Sequence, residues 1–199
     1  MSAGNEAHGA EHEEAVPSMR AVARAIALAM AVFQLYTAFT VSFSPMIQRS
    51  VHLAFALSLL FLVTPAREIP RGLDLALRWI LAAAGVATCV YAAVEFTNPG
   101  IFRVIDPTWL DIASGTVLLL LLLEATRRTA GPSLAIIALA FVLYAVFGAS
   151  LPGFLGHPGF DYPAIVASLY IRLEGVFGTA TGASATYVYV FVLFGAVMM

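Results

Sequence analysis

The sequence carries very little charge for its length. Only 11% of its 199 residues are charged, and all ten basic residues are arginines, so lysine is absent. A typical soluble domain has about a quarter charged residues, because polar side chains must cover its surface. With 61% hydrophobic residues and a mean hydropathy of +0.91, the composition predicts a membrane protein with several helical spans.

Other absences narrow the class further. The single cysteine, Cys89, lies in an apolar stretch and cannot form a disulfide within the chain, so the redox compartment is not indicated. There is no basic stripe of the kind that binds nucleic acid. The first residues are acidic, whereas a secretory signal begins with basic residues. The apolar runs are long and unbroken, unlike the alternating strands of a membrane β-barrel.

Five apolar stretches approach or reach the roughly 20 residues that a helix needs to cross a hydrocarbon core of about 30 Å. They are Ala21–Phe43, Met46–Thr64, Leu75–Phe96, Trp109–Thr126 and Ser133–Leu151. Arg49 and His52 interrupt the start of the second stretch and leave it a short apolar core. A sixth begins near Ala183 and is cut off at the last residue. We therefore predict an all-α, multi-spanning helical membrane protein with five spans and a truncated sixth.

The segment Tyr162–Glu174 is shorter and contains Arg172 and Glu174, which makes it a poor centre for a span. We predict an amphipathic helix lying at the membrane interface. Because three glycines follow within "EGVFGTATGASAT", the alternative is the entry to a re-entrant or broken helix.

The arginine distribution predicts the orientation. With the N-terminus inside, the cytoplasmic side holds seven arginines and the opposite side holds three, as expected for cytoplasmic loops. The seven are Arg20, Arg24, Arg67, Arg71, Arg78, Arg127 and Arg128, and the three are Arg49, Arg103 and Arg172. Residues 1–19 are predicted to be a disordered acidic tail. The tail histidines His8 and His12 could share a metal on a helix, but a solvated tail is the favoured interpretation.

Glu124 precedes Arg127 and Arg128 by three and four residues, so the three side chains are neighbours on a helix. One interpretation is an intramembrane ion pair on a transport path. The favoured one is a span end anchored at the cytoplasmic interface, with both arginines reaching toward phosphates.

Several charged residues fall in or near the predicted external segments, namely Glu95, Arg103, Asp106, Asp111 and Glu174. Arg103, Asp106, Asp111 and Glu174 are candidates for a receptor-side or packing role, and Asp111 is also a candidate cap for the fourth span. Polar residues within the spans, among them Gln34 and Thr37, are expected to hydrogen-bond neighbouring helices. There is no nucleophile with a base, phosphate loop or metal-ligand cluster, so we predict neither an enzyme nor a catalytic or metal site.

A series of motifs resembles a known family. The series comprises Asp106-Pro107, Asp111, Glu124-Ala125-Thr126-Arg127-Arg128, Gly131, Tyr144, Gly148, Pro152-Gly153, His157, Gly159, Glu174-Gly175, Phe177-Gly178, Gly182, Ser184-Ala185-Thr186-Tyr187 and Phe194-Gly195. Together these motifs resemble the fused membrane permease of tripartite ATP-independent periplasmic (TRAP) transporters, in the branch that works with TAXI-type receptors. The match is dense over residues 100–199, whereas before that only the number and spacing of spans agree.

The resemblance implies an arrangement and a function. Residues 20–131 would be a four-span, small-subunit-like scaffold, and residues 132–199 the truncated start of the large-subunit-like region. The whole permease would take up a small organic acid with sodium, in the bacterial inner membrane. Its partners would be the bilayer, a periplasmic receptor and the rest of the large region. Sodium and substrate sites would lie beyond Met199, so this chain is expected to bind no cofactor. The alternative is a self-contained membrane protein that binds or assembles partners.

Overall fold

The structure is a computed structural model that describes residues 3–40, 43–65, 70–97, 105–150, 152 and 156–198. These residues form seven helices and contain no strand. The helices are α1 Ala3–Thr40, α2 Pro45–Val63, α3 Arg71–Glu95, α4 Trp109–Thr129, α5 Pro132–Phe147, α6 Tyr162–Tyr170 and α7 Thr179–Met198. The predicted all-α class is confirmed.

Six of the seven helices, all except α6, are long and apolar enough to cross a membrane; α5 reaches that length together with the 3-10 turn Gly148–Ser150, which continues it. Each of the five complete spans predicted from the sequence corresponds to one of them. The sixth differs, because α7 begins at Thr179 instead of near Ala183 and its 20 residues reach the spanning length. The part of the glycine-rich stretch from Thr179 onward is thus helical. Within α7, Ser184–Val188 form a π-helical turn.

The first helix also extends beyond the prediction. It begins at Ala3, so residues 3–19, which we predicted to be a disordered tail, continue α1 in the structure. We based the prediction of disorder on acidity and small side chains. The same residues are rich in alanine and glutamate, which are among the residues with the highest helix propensity, and this accounts for the difference.

The core lies where α2, α3, α4 and α6 meet. Phe61 of α2, Cys89 of α3, Leu118 of α4 and Val166 of α6 are each at most 1% exposed. Tyr170, at the end of α6, donates its hydroxyl to the carbonyl of Thr88 at 2.6 Å, which joins α6 to α3. Helix α6 is therefore part of the packed protein.

This packing refines the prediction for Tyr162–Glu174. The helix ends at Tyr170. Much of its apolar side packs against protein instead of lipid, since four of its residues are buried, namely Ile165, Val166, Ala167 and Tyr170. Gly115 of α4 makes the approach possible, because a Cβ atom there would lie 2.5 Å from Cγ1 of Val166. Turns at residues 171–178 then connect α6 to α7, a feature that fits the broken-helix alternative.

Two helices contribute little to this core. Helix α5 and the Tyr189–Met198 part of α7 contain no buried residue. Their exposed side chains are almost all apolar, such as Phe141 at 69% and Phe191 at 73% exposure. Such surfaces suit lipid or further protein.

A polar cluster at the start of α2 as the candidate functional site

Glu124 holds both of the arginines that follow it on α4. Arg127 donates from Nε and Nη2 to the two carboxylate oxygens at 2.8 and 3.0 Å, and Nε of Arg128 donates to Oε1 at 2.7 Å. The sequence placed these three side chains together, and the structure confirms their proximity. The carboxylate is shared by two cations, so the group carries a net positive charge.

The two arginines nevertheless have different environments. Arg127 remains 39% exposed, whereas the Arg128 side chain is only 3% exposed. Arg128 donates from Nη1 to the carbonyl of Thr64 at 3.0 Å, and its guanidinium lies 5.3 Å from the ring centre of Phe61. We expected both arginines to reach toward lipid phosphates, but Arg128 turns into the protein, because the end of α2 offers it a carbonyl and an aromatic face.

A second arginine reaches the same end of α2 from α3. Arg78 forms an ion pair with Asp74 at 2.6 Å and donates from Nη1 to the carbonyl of Leu62 at 3.3 Å. The last carbonyls of a helix lack partners within the helix and carry a partial negative charge. Arg78 and Arg128 therefore stabilise the C-terminal end of α2 from two neighbouring helices.

Asp111 has the capping role that we considered for it. Its Oδ2 accepts the backbone N–H of Thr108 at 2.8 Å, while the Thr108 hydroxyl accepts the N–H of Asp111, so the two form a capping box. Tyr91 of α3 also donates to Oδ1 at 2.7 Å. With Asp111 only 1% exposed, its role is structural.

The other predicted external candidates are Asp106, Glu174 and Arg103. Asp106 and Glu174 are exposed, and Arg103 lies outside the described residues. Their predicted receptor-side role remains a prediction.

A cluster that the sequence analysis did not assemble lies between α1, α2 and α7. His52 of α2 is 5% exposed and accepts a hydrogen bond at Nδ1 from the Gln34 amide of α1 at 2.6 Å. Its Nε2 lies 3.1 Å from the hydroxyl of Ser184, at the start of the π turn of α7. One imidazole thus links three helices. The contacts are consistent with a neutral ring that carries its proton on Nε2.

Arg49 adds a second link between α2 and the last part of the chain. It lies one turn before His52 and donates from Nη1 to the carbonyl of Phe177 at 2.7 Å. Gly182 admits the guanidinium, because a Cβ atom there would be 2.8 Å from Cζ of Arg49. Arg49 forms no ion pair among the described residues, so neutral groups hold it.

This cluster leaves hydrogen-bonding capacity unused. Oε1 of Gln34 is buried and has no hydrogen-bond partner among the described residues. Gln34 also lines a cavity of about 360 Å³ between α1 and α7. Buried polar atoms without partners are uncommon in proteins and call for an explanation such as an unseen ligand. We therefore regard this cluster and its cavity as the candidate functional site.

The sequence did contain a signal for this site. Ionisable residues inside a predicted span indicate function by default, and Arg49 and His52 are such residues. We took them as evidence against the span. In the structure α2 is nevertheless the most buried of the six long helices, with 44% of its most apolar window buried, since the two side chains bond to protein groups.

Four residues of the family-like motif series meet at the end of α5. The His157 ring lies against Gly148, where a Cβ atom would be 1.9 Å from Nε2, and 4.8 Å from the ring of Tyr144. Its Nε2 contacts the Tyr144 carbonyl at 3.1 Å, and its Nδ1 accepts the N–H of Gly159 at 3.0 Å. Gly159 has a φ of +74°, which favours glycine. These residues shape the connection from α5 to α6.

The fold defines a class, an all-α protein with six helices of membrane-spanning length. Within the described ranges, no group of three or more His, Cys, Asp or Glu side chains could hold a metal ion. No protein-family model, curated protein or solved structure matches this chain.

Proposed function

We propose that this chain is the scaffold region of a TRAP-type secondary transporter permease. It supports sodium-coupled uptake of a small organic acid that a periplasmic receptor delivers. It lies in the bacterial inner membrane with its N-terminus in the cytoplasm, and it acts without enzymatic activity.

The observation that carries this proposal is the way α2 is fixed between α3 and α4. Arg78 and Arg128 bind the last carbonyls of α2, and each arginine is in turn held by an acid on its own helix. A transporter with a moving part needs a partner that stays in place. Charge-assisted bonds that cross between helices, together with a shared core, are suited to that role.

The motif series gives further support. His157, Gly148 and Gly159 occupy positions where the local packing or the backbone conformation requires them. Gly175 is similarly placed, since a Cβ atom there would lie 2.1 Å from the carbonyl oxygen of Leu169. Motif residues that form junctions between helices are expected of an architecture that related permeases share.

The exposed surfaces fit the expected partners. The apolar faces of α5 and α7 would contact lipid and the remainder of the permease. The exposed carboxylates Asp106 and Glu174 would lie near the receptor-facing side, together with Arg103 of the undescribed segment. Sodium would bind elsewhere in the complete transporter.

A second candidate is a self-contained membrane protein that binds or assembles partners. The observation that favours it is the Gln34–His52–Ser184 cluster, because a scaffold alone does not require a buried acceptor left without a partner. Transport activity separates the two candidates.

The test uses proteoliposomes with an inward sodium gradient and a panel of ¹⁴C-labelled pyruvate, succinate and glutamate. Three samples are compared: this chain, the polypeptide encoded directly downstream, and both together with the neighbouring receptor. We expect accumulation only in the third sample. Uptake by the chain alone would contradict the scaffold role, and absence of uptake of all three acids in every sample would contradict the transporter assignment.

The proposed orientation is tested by cysteine labelling of intact cells. In a Cys89→Ala background, single cysteines replace Ala130 at the end of α4 and Asp106 before it, which are both exposed. A membrane-impermeant maleimide added outside should label position 106 and spare position 130 until the cells are opened. The reverse pattern would place the N-terminus in the periplasm.

A further inference from the structure

A second cavity, of about 700 Å³, lies between α5 and α6. It is larger than the one between α1 and α7 and falls in the range of small-ligand pockets, about 300–1,000 Å³. The backbone N–H of Phe160 donates to the carbonyl of Ala145 at 3.1 Å. Both residues line the cavity, so this bond holds the segment before α6 against α5 and fixes the distance between the two walls.

The two walls of this cavity differ in polarity. Helix α5 contributes only apolar side chains, and the polar ones come from α6 and the residues that flank it. The apolar wall consists of Phe141, Val142 and Ala145, and the polar groups are Asp161, Ser168 and Arg172, which are all exposed. A ligand with an apolar body and a polar head can satisfy both walls.

Arg172 differs from the arginines that pack inside the fold. Each of those donates to a carboxylate or to a carbonyl, and they are Arg49, Arg78, Arg127 and Arg128. The Arg172 side chain has neither kind of partner in the part of the chain that the structure describes, and the exposed Glu174 nearby forms no ion pair with it. A guanidinium without a counter-charge favours an anion, and its planar donors suit a phosphate.

Ser168 supplies a second donor to the same cavity, four residues before Arg172. Ser58, Thr126 and Thr129 each donate their hydroxyl proton to the carbonyl four residues earlier in their own helix. The Ser168 hydroxyl forms no such bond among the described residues, so it can donate to a ligand oxygen. The two donors together select a ligand that brings acceptors.

Asp161 does not neutralise Arg172. It precedes α6, whereas Arg172 follows it, and a helix of nine residues is about 14 Å long. No ion pair joins the two side chains in the described ranges. The N-terminal end of a helix also favours a carboxylate, so Asp161 has a stabilising environment of its own. The Arg172 end of the cavity is therefore the end that attracts an anion.

The cavity lies at the level of a membrane interface. Pro107 lines it and comes two residues before Trp109, which begins α4 and is 73% exposed. Exposed tryptophans at the ends of spans lie at the level of the lipid head groups. Phe141 of the apolar wall is 69% exposed, so hydrocarbon can reach this wall from the bilayer. A lipid can therefore place a phosphate at the donors and a chain along α5.

We infer that this cavity binds one anionic lipid from the bilayer. The lipid phosphate accepts hydrogen bonds from Arg172 and Ser168, and an acyl chain lies along the apolar wall of α5. An anionic lipid is preferred over a zwitterionic one, because the ammonium of a zwitterionic head group already balances its phosphate. The inference requires only that the chain spans a bilayer, so it can be tested whatever the outcome of the uptake experiment.

The experiment uses photolabelling of the full chain in phosphatidylcholine nanodiscs. The probes are phosphatidylglycerol and phosphatidylcholine that carry the same diazirine acyl chain, each added in trace amount. Mass spectrometry measures the labelling of residues 141–145 and 160–165 relative to residues 189–198 of α7, which contain no buried residue. We expect this ratio to be at least fivefold higher for phosphatidylglycerol, as for one arginine beside anionic head groups.

Variants of the polar wall locate the head group. Arg172→Gln should lower the ratio for phosphatidylglycerol about fivefold and leave that for phosphatidylcholine unchanged, whereas Arg172→Lys should retain at least half of the preference. Ser168→Ala should lower it about twofold. Arg24→Gln is the matched control, because Arg24 is an exposed arginine of α1 that does not line the cavity, and it should have no effect.

A variant of the apolar wall locates the chain. Ala145→Trp fills the cavity and should lower the ratio for both lipids at least threefold. Ala140→Trp is its control, since Ala140 is exposed on the same helix and does not line the cavity.

Three results would overturn the inference. The first is an equal ratio for the two lipids in the unmodified protein, which is informative even where a variant does not fold. The second is an unchanged preference in a folded Arg172→Gln variant. The third is loss of the preference when excess inorganic phosphate is added at constant ionic strength, since this would assign Arg172 to a soluble anion instead of a lipid.

Discussion

Basic side chains lie at both ends of α2, but the groups that pair with them differ between the two ends. At the C-terminal end, Arg78 and Arg128 each have a carboxylate partner and also bind a carbonyl of α2. At the N-terminal end, Arg49 binds a carbonyl and His52 binds an amide and a hydroxyl. The described residues offer no acid to either.

The difference separates support from a potential working site. At the C-terminal end, Arg78 and Arg128 each form an ion pair and donate to a carbonyl. Among the buried donors there, Nη2 of Arg128 has no hydrogen-bond partner in the described residues. The N-terminal end instead leaves the amide oxygen of Gln34 beside a cavity and links to a π turn. Because π turns occur frequently at functional sites, the N-terminal end remains the candidate functional site, whereas the contacts at the C-terminal end join three helices.

The largest expected loss of stability comes from a substitution beside the C-terminal end of α2. Glu124→Gln removes the charge that balances Arg127 and Arg128, and leaves Arg128 buried without a counter-ion. Breaking a fully buried pair costs about 3–5 kcal/mol, but Glu124 is 27% exposed, so we expect about 2–3 kcal/mol. The measurement is the temperature at which the buried Cys89 thiol reacts with a maleimide dye in detergent, and it should fall by about 5–10 °C.

The control for this prediction is Arg127→Ala, which removes the more exposed of the two arginines. We expect a loss below about 1 kcal/mol, as for exposed ion pairs. If the two variants lowered the transition equally, the burial of Arg128 would not be what matters at this end of α2.

His52→Leu is expected to lower the free energy of unfolding by an intermediate amount. It leaves the Gln34 amide and the Ser184 hydroxyl without their shared partner. Hydrogen bonds between membrane helices contribute about 0.6 kcal/mol on average and up to about 1.7, so we expect a loss of about 1–2 kcal/mol in the same Cys89 assay.

A double-mutant cycle sharpens this result. Gln34→Leu combined with His52→Leu should cost clearly less than the sum of the two single variants, because the pair loses one interaction only once. Strict additivity would show that the two side chains do not interact, and the candidate site would lose its link between α1 and α2.

The smallest effect on global stability is expected from Arg49→Leu. Its loss frees the turn at residues 171–178, which Arg49 holds through the Phe177 carbonyl at 2.7 Å. Amide hydrogen exchange should become about fivefold faster in a peptide covering residues 171–183, while α3 stays unchanged. Arg49→Lys is the control that keeps the charge but not the guanidinium geometry. Faster exchange in α3 as well would indicate general destabilisation.

The sequence predicted the positions of the first five spans because they follow from one local property, the length of an apolar run. It also predicted the neighbours Glu124 and Arg128, since a helix places residues four apart on one side. It did not predict the contact of Arg128 with Thr64, or of Gln34 with His52. Those pairs depend on how helices rotate and pack against each other, which local composition does not encode.

The sequence by itself determined that this protein is helical, apolar and built from segments of membrane-spanning length, because backbone groups in an apolar setting must bond within a helix. Only the tertiary structure decided which polar residues became anchors and which formed a candidate site. The physical reason is that a buried polar group is defined by its partners, and for Arg49, His52 and Gln34 those partners lie on other helices.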